Sequence, residues 1–225
     1  MKNIRICTVI IGNNLDQFLE NLDKAQRISE FLELRVDYIK NLKAGDISVI
    51  KKNLKKEAIL TCRKKTEGGR FKKSEEERII IIEKALNLGF GYVDIELSTL
   101  EEHRLNLSRK EKTKLIVSHH DFEKTPDEET LKKLIKTMKK HHPDVIKIAT
   151  RVIKPADNFK LFRLILDKKI ELPRIIIGMG KQGKVTRILG PVLGSYLTFA
   201  SVGEQITAQG QININQLEKI YKLIF

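Results

Sequence analysis

Eight short apolar segments recur along this chain, and a polar segment with helical character follows each one. The predicted strands span 5–11, 31–37, 58–63, 92–97, 114–120, 145–150, 174–179 and 197–201. Strands that alternate with helices imply parallel βα units, because parallel neighbours need a crossover and a helix supplies it. Eight such units within 225 residues favour a compact α/β barrel, the (β/α)8 or TIM barrel with a parallel eight-stranded sheet, over an open sheet. The helix signals agree with this spacing. Ser74 and Glu77 form a capping box whose helix stops near Gly89. Thr125 reads as another N-cap, with Pro126 at the first helical position and Glu128 at the third. No stretch rich in Pro, Gly and Ser divides the chain, so a single domain over 1–225 is expected.

Side-chain alternation constrains the chemistry. In the second predicted strand Glu33, Arg35 and Asp37 share a face, while Leu34 and Val36 take the other. Thr61 and Arg63 repeat this in the third strand, Asp94 and Glu96 in the fourth, and Ser118 and His120 in the fifth. Parallel strands buried on both faces are normally apolar throughout. Here one face suits covering helices and the other gathers charge. In a barrel those charges converge at the mouth, where such enzymes place their active sites.

Lys147 stands inside the apolar run Val145-Ile146-Lys147-Ile148-Ala149. Lysine is rarely buried without a partner, since low dielectric disfavours the ammonium and leaves a nucleophilic amine. One reading is therefore an imine-forming lysine; the other is a structural ion pair with Glu33, Asp94 or Glu96. His119 and His120 are adjacent, so in a strand they point to opposite faces and do not share a metal in regular geometry. His120 has the charged parity and is the candidate base, while His119 packs or hydrogen-bonds under a helix. Glu67, followed by Gly68 and Gly69 in the loop after the third strand, is a candidate orienter of the imidazole. Its alternative is an exposed turn carboxylate.

Gly178, Gly180 and Gly183 match the dinucleotide fingerprint in spacing. A single strand remains after them, whereas a dinucleotide-binding half needs a complete βαβαβ unit. Glycine-rich backbone after strands seven and eight of a barrel is instead a recurrent anion site. Arg187 lies in that region, and the loop Thr207 to Gln211 adds hydrogen-bonding groups, so a carboxylate is the simplest guest.

Lys and Arg total 43 against 29 Asp and Glu, a net charge of +14, which raises nucleic-acid binding as a non-enzyme reading. The lysines are scattered over helix-like surfaces without interleaved aromatic residues, so a solvated surface that attracts small anions fits better. No nucleic-acid partner is expected. No apolar run approaches the roughly 18 residues of a membrane span. The start of the chain lacks an export-type cleavage signal, so a cytoplasmic, membrane-free protein is expected. Cys7 and Cys62 have neither a metal-ligand spacing nor a CxxC arrangement and read as small core hydrophobes.

Several ordered motifs, taken together, resemble the type I 3-dehydroquinate dehydratases: Glu33-Leu-Arg35-Val-Asp37, Arg63 followed by Glu67-Gly-Gly, Ser118-His-His120-Asp-Phe122, Lys147-Ile-Ala, and Gln211 in Gly-Gln-Ile. The resemblance covers nearly the whole chain. It implies a cofactor-free (β/α)8 homodimer that converts 3-dehydroquinate to 3-dehydroshikimate by syn elimination through a lysine Schiff base, in the shikimate pathway of aromatic amino acid biosynthesis. It also implies that Lys147 forms the imine, that His120 moves the protons and that Glu67 tunes His120. Glu33, Arg35 and Arg63 would bind the ring hydroxyls; Arg187, Thr207 and Gln211 would surround the substrate carboxylate and C1 oxygen. No metal is implied. The class I aldolases, which also use a strand lysine, are the enzyme alternative. Two departures stand out. Bacterial members carry an N-terminal β-hairpin, expected here to be absent or very short, and Val9 stands where some members have a serine near the substrate. Thr207 replaces a common serine and keeps the hydroxyl.

Overall fold

A computed structural model describes residues 4–107, 113–202 and 210–224 of the chain. Its strands are β1 (Ile6–Ile10), β2 (Phe31–Arg35), β3 (Glu57–Thr61), β4 (Tyr92–Glu96), β5 (Lys114–Asp121), β6 (Val145–Arg151), β7 (Arg174–Met179), β8 (Thr198–Ser201) and β9 (Ile212–Asn213). The helices are α1 (Leu15–Gln26), α2 (Ala44–Asn53), α3 (Glu75–Leu88), α4 (Leu97–Glu102), α5 (Glu128–Lys139), α6 (Asp157–Leu166), α7 (Lys184–Leu193) and α8 (Ile214–Ile224). Each predicted strand is present within two residues at either end. The two-residue β9 is an addition, too short to carry alternation in the sequence. Ile4 and Arg5, described ahead of β1, are in no strand. Chain contacts group the residues into two compact units, one over Val9–Val117 and one formed by Met1–Thr8 with Ser118–Phe225.

In the Val9–Val117 unit β2, β3 and β4 lie side by side and parallel, with Arg35 opposite Thr61 and Thr61 opposite Asp94. Partners in register share a face, so Glu33, Arg35, Ile59, Thr61, Tyr92 and Asp94 lie on one side of this sheet. Leu32, Leu34, Ala58, Leu60, Val93 and Ile95, all buried, lie on the other. The second predicted strand stops at Arg35, two residues early, because Val36–Tyr38 turns as a 3-10 helix. Asp37 thus leaves the strand yet returns to Arg35 through its side chain. Ser74 and Glu77 form the expected capping box of α3, and Gly89 ends that helix in the left-handed region at φ 73°. Cys62 is buried, as is Cys7 in the other unit, and both are free thiols.

In the second unit β6 and β7 are parallel partners, with Lys147 opposite Ile175 and Ala149 opposite Ile177. β1 pairs with β8, and β8 with β9. Ala200, Ile212, Ile214, Leu217 and Tyr221 form a core against which Ile4, Ile6, Ile188 and Val192 pack. The predicted cap of α5 is corrected. Asp127, not Thr125, accepts from the Thr130 amide at 2.8 Å. The Thr125 hydroxyl lies instead 2.9 Å from Thr150 Oγ1 and donates to the Arg151 carbonyl. Among the described residues no helix is long and apolar enough to cross a membrane.

Candidate active site

Within the Val9–Val117 unit, buried ion pairs and hydrogen bonds gather at the ends of β2, β3 and β4. Thr61 Oγ1 donates to Glu33 Oε1 at 3.0 Å. Arg35 grips Asp37 with a two-pronged fork, and the Arg70 amide donates to the same carboxylate at 3.0 Å. The Tyr38 ring lies beneath two guanidinium groups, Arg35 at 5.0 Å and Arg70 at 4.6 Å from its centroid. Arg63, only 2% exposed, donates to Asp94 Oδ2 at 2.7 Å and Glu96 Oε1 at 3.0 Å. Burial opposes the charge on Arg35 and Arg63, but Asp37 beside the first, and Asp94 and Glu96 beside the second, raise both above the ordinary arginine range. Both side chains are therefore fixed cations (planar and able to bind hydroxyl or carboxylate oxygens in a set direction). Asp94 and Glu96 are both ion-pair partners of Arg63.

Glu67 closes a 3-10 turn over Lys65–Glu67 and is 8% exposed, which removes the reading of a solvated turn carboxylate. Gly68 follows at φ 82°, where side chains are strained. A Cβ at Gly69 would lie 1.8 Å from the Arg63 carbonyl oxygen, so the loop folds back on Arg63 only because residue 69 has no side chain. Ser98 Oγ donates to Glu67 Oε1 at 2.9 Å and fixes one carboxylate oxygen.

In the second unit Lys147 is 4% exposed on β6, with Nζ 4.6 Å from the centroid of the Phe199 ring on β8. His120 is half-buried on β5 and stacks with Phe122, centroids 6.4 Å apart. Burial holds the His119 imidazole below the ordinary histidine range, against an opposing pull from Asp121. Arg187, buried in the first turns of α7, has its carbonyl held by Thr198 Oγ1 at 2.8 Å and by the Tyr221 phenol at 3.1 Å. Burial pushes that phenol up to about 12. Gln211 is buried just before β9, and Thr207 lies outside the described residues.

The glycine motif has a packing role. A Cβ on Gly183 would lie 2.4 Å from the Gly178 carbonyl carbon, and one on Gly210 2.5 Å from the Gly180 oxygen. The turn after β7 and the chain ahead of Gln211 approach backbone to backbone. Among the described residues no group of three or more His, Cys, Asp or Glu gathers as a metal site. The sequence reading missed Arg78, Ser98 and Thr99. Arg78 alone left a signal, an arginine in phase with the buried Ile81, Ile82 and Ala85 of α3.

The model of the family described as type I 3-dehydroquinase matches residues 6–225. The chain belongs to the type I 3-dehydroquinase family. Membership makes it an enzyme of the hydro-lyase class. A 3-dehydroquinate dehydratase of Coxiella burnetii (strain CbuK_Q154) is 38% identical over 221 residues, 98% of this chain and 94% of that protein. One of Methanocaldococcus jannaschii is 36% identical over 222 residues, 97% of this chain and 98% of the relative. The crystal structure of 3-dehydroquinate dehydratase from Geobacillus kaustophilus HTA426 superposes with a TM-score of 0.88 at 25% identity, covering 99% of this chain and 91% of that one. The fold class is accordingly the (β/α)8 barrel of the type I dehydroquinases.

Proposed function

We propose that this dehydroquinase acts through an imine on Lys147, dehydrating 3-dehydroquinate to 3-dehydroshikimate by syn elimination. The observation that carries the reading is a lysine 4% exposed on a barrel strand, against an aromatic ring, in a chain of this family. The Lys147 amine adds to the C3 carbonyl, and loss of water leaves a protonated imine. That cation is an electron sink, so removal of a C2 proton by His120 gives an enamine instead of a carbanion. The enamine then expels the C1 hydroxyl, which takes its proton from His120 and leaves as water. Hydrolysis of the conjugated imine frees the product and restores the amine.

The remaining roles follow the family resemblance. Glu67 tunes His120; Glu33, Arg35 and Arg63 bind the ring hydroxyls; Arg187, Thr207 and Gln211 bind the carboxylate and C1 oxygen. A bidentate arginine at a carboxylate fixes orientation as well as affinity. The chain would work as one cofactor-free catalytic domain, a cytoplasmic homodimer in the shikimate pathway, with no nucleic-acid or membrane partner. The test is to incubate the protein with 3-dehydroquinate, reduce with borohydride and map the adduct by mass spectrometry. An adduct on Lys147 is expected; one on another lysine, or none, overturns the mechanism.

A further inference from the structure

Arg78 is a guanidinium 1% exposed on α3, and all of its N–H donors are used. Nε donates to Glu75 Oε2 at 2.8 Å, and NH2 donates to Glu75 Oε1 and Thr99 Oγ1, both at 2.6 Å. NH1 donates to the Cys62 carbonyl at 2.5 Å and to Glu96 Oε2 at 2.9 Å. Glu96 is shared. Its other oxygen accepts from Arg63 NH1 at 3.0 Å and from the Lys64 amide at 2.8 Å. Arg78 therefore touches the surroundings of Arg63 twice, through the carboxylate that Arg63 grips and through the carbonyl of the residue just before it.

A buried ion pair is a poor source of stability, because desolvating the charges offsets most of their attraction. Its strength is direction. Without Arg78, Glu96 Oε2 would lose its charged partner and keep the longer contact from the Thr99 hydroxyl at 3.4 Å. Its carboxylate would then be held less firmly on that side, and Arg63 would face it with one neighbouring cation fewer.

We propose that Arg78 is a positioning residue that sets the orientation of the Arg63 guanidinium toward the substrate ring hydroxyls. This inference rests on the reading of Arg63 as a substrate-binding residue. Lysine at position 78 keeps the charge but cannot present a planar fork to acceptors on α3, α4, the end of β4 and the chain after β3. R78K raises KM for 3-dehydroquinate about tenfold with kcat within about twofold, the signature of lost binding rather than lost chemistry. E75Q, which weakens the outer anchor while leaving Arg78 in place, raises KM about threefold by the same logic.

The experiment measures KM and kcat of R63K, R78K, E75Q and the R63K/R78K double variant well below their melting temperatures. R63K raises KM, and R78K adds nothing further in its background, because the two act on one contact. If R63K leaves KM unchanged, the reading of Arg63 fails and the inference falls with it. If R63K raises KM while R78K and E75Q do not, Arg63 stands and the positioning role alone is overturned. A lowered melting temperature with unchanged KM likewise overturns it, in favour of a structural role. Should R78K fail to fold, E75Q decides by the same KM criterion.

Discussion

Arg35 and Asp37, two residues apart, close a two-pronged ion pair with Nε to Oδ1 and NH2 to Oδ2 both at 2.8 Å. The pair exists because the strand ends between them. A continued strand would set the two side chains pointing along the same face, whereas the 3-10 turn over Val36–Tyr38 swings the carboxylate back onto the guanidinium. Asp37 also receives the Arg70 amide, so one carboxylate holds the end of β2 against the loop after β3.

D37N removes the charge while keeping the shape, and leaves Arg35 buried without its counterion. Breaking a buried pair by removing one partner typically costs about 3–5 kcal/mol. A loss near the lower end is expected in urea-induced unfolding, with a rise in KM, because Arg35 no longer has a fixed direction. Unchanged unfolding midpoints would show that another group supports Arg35.

Gly69 is the tightest position in the loop that carries Glu67. In G69A the new Cβ must escape the Arg63 carbonyl at 1.8 Å, and the obstacle is backbone that cannot rotate away. The turn must open, which displaces Glu67 from Ser98 and shifts the backbone of Arg63. Stability should fall by about 1–3 kcal/mol, the usual cost of overpacking, and kcat/KM by at least about tenfold. G68A provides the control. It meets backbone strain at φ 82° costing about 1 kcal/mol, and its effect on kcat/KM should be smaller. Equal kinetic effects in both variants would argue against placement of Glu67 as the cause.

The framework was legible because it depends on local rules. Alternation marked the charged strand faces, and the Ser74–Glu77 box marked the start of α3. Errors arose where a tertiary contact competed with a local one. Thr125 is a good cap by type, yet its hydroxyl is taken by Thr150 and Arg151, so Asp127 caps α5. Arg78 left only its helical phase as a signal, and most of its partners were out of local reach. An arginine on a helix is normally solvated, and its partners Cys62, Glu96 and Thr99 lie more than a dozen residues away in sequence. Asp94 and Glu96 were visible as buried carboxylates, but alternation does not say which cation each one meets.

Lys147 allows activity and stability to be separated. It stands opposite Ile175 in the β6–β7 register, with Nζ over the Phe199 ring. Methionine would fill a similar volume and has no polar end group to bury. K147M should lose turnover by orders of magnitude and yield no borohydride adduct, while its melting temperature stays equal to the parent or rises. A K147M protein that retains turnover would remove the imine from the mechanism.

His119 and His120 offer a pH test that tells neighbours apart. Burial keeps the His119 imidazole below its ordinary 6.5 in the folded protein. The unfolded chain therefore binds the proton more readily, and folding stability rises with pH between the lowered value and 6.5. The contribution is complete above 6.5 and is lost as pH falls through that window, with a slope of at most about 1.4 kcal/mol per pH unit. The side chain is partly open to solvent, so the observed slope should be smaller. H119Q should flatten stability in the range just below pH 6.5 relative to the parent, and leave the pH dependence of kcat unchanged, since the base is assigned to His120. H120Q should do the reverse, reducing kcat by orders of magnitude while Lys147 is still trapped by borohydride. A kcat profile altered by H119Q and left intact by H120Q would move the catalytic proton to the other histidine.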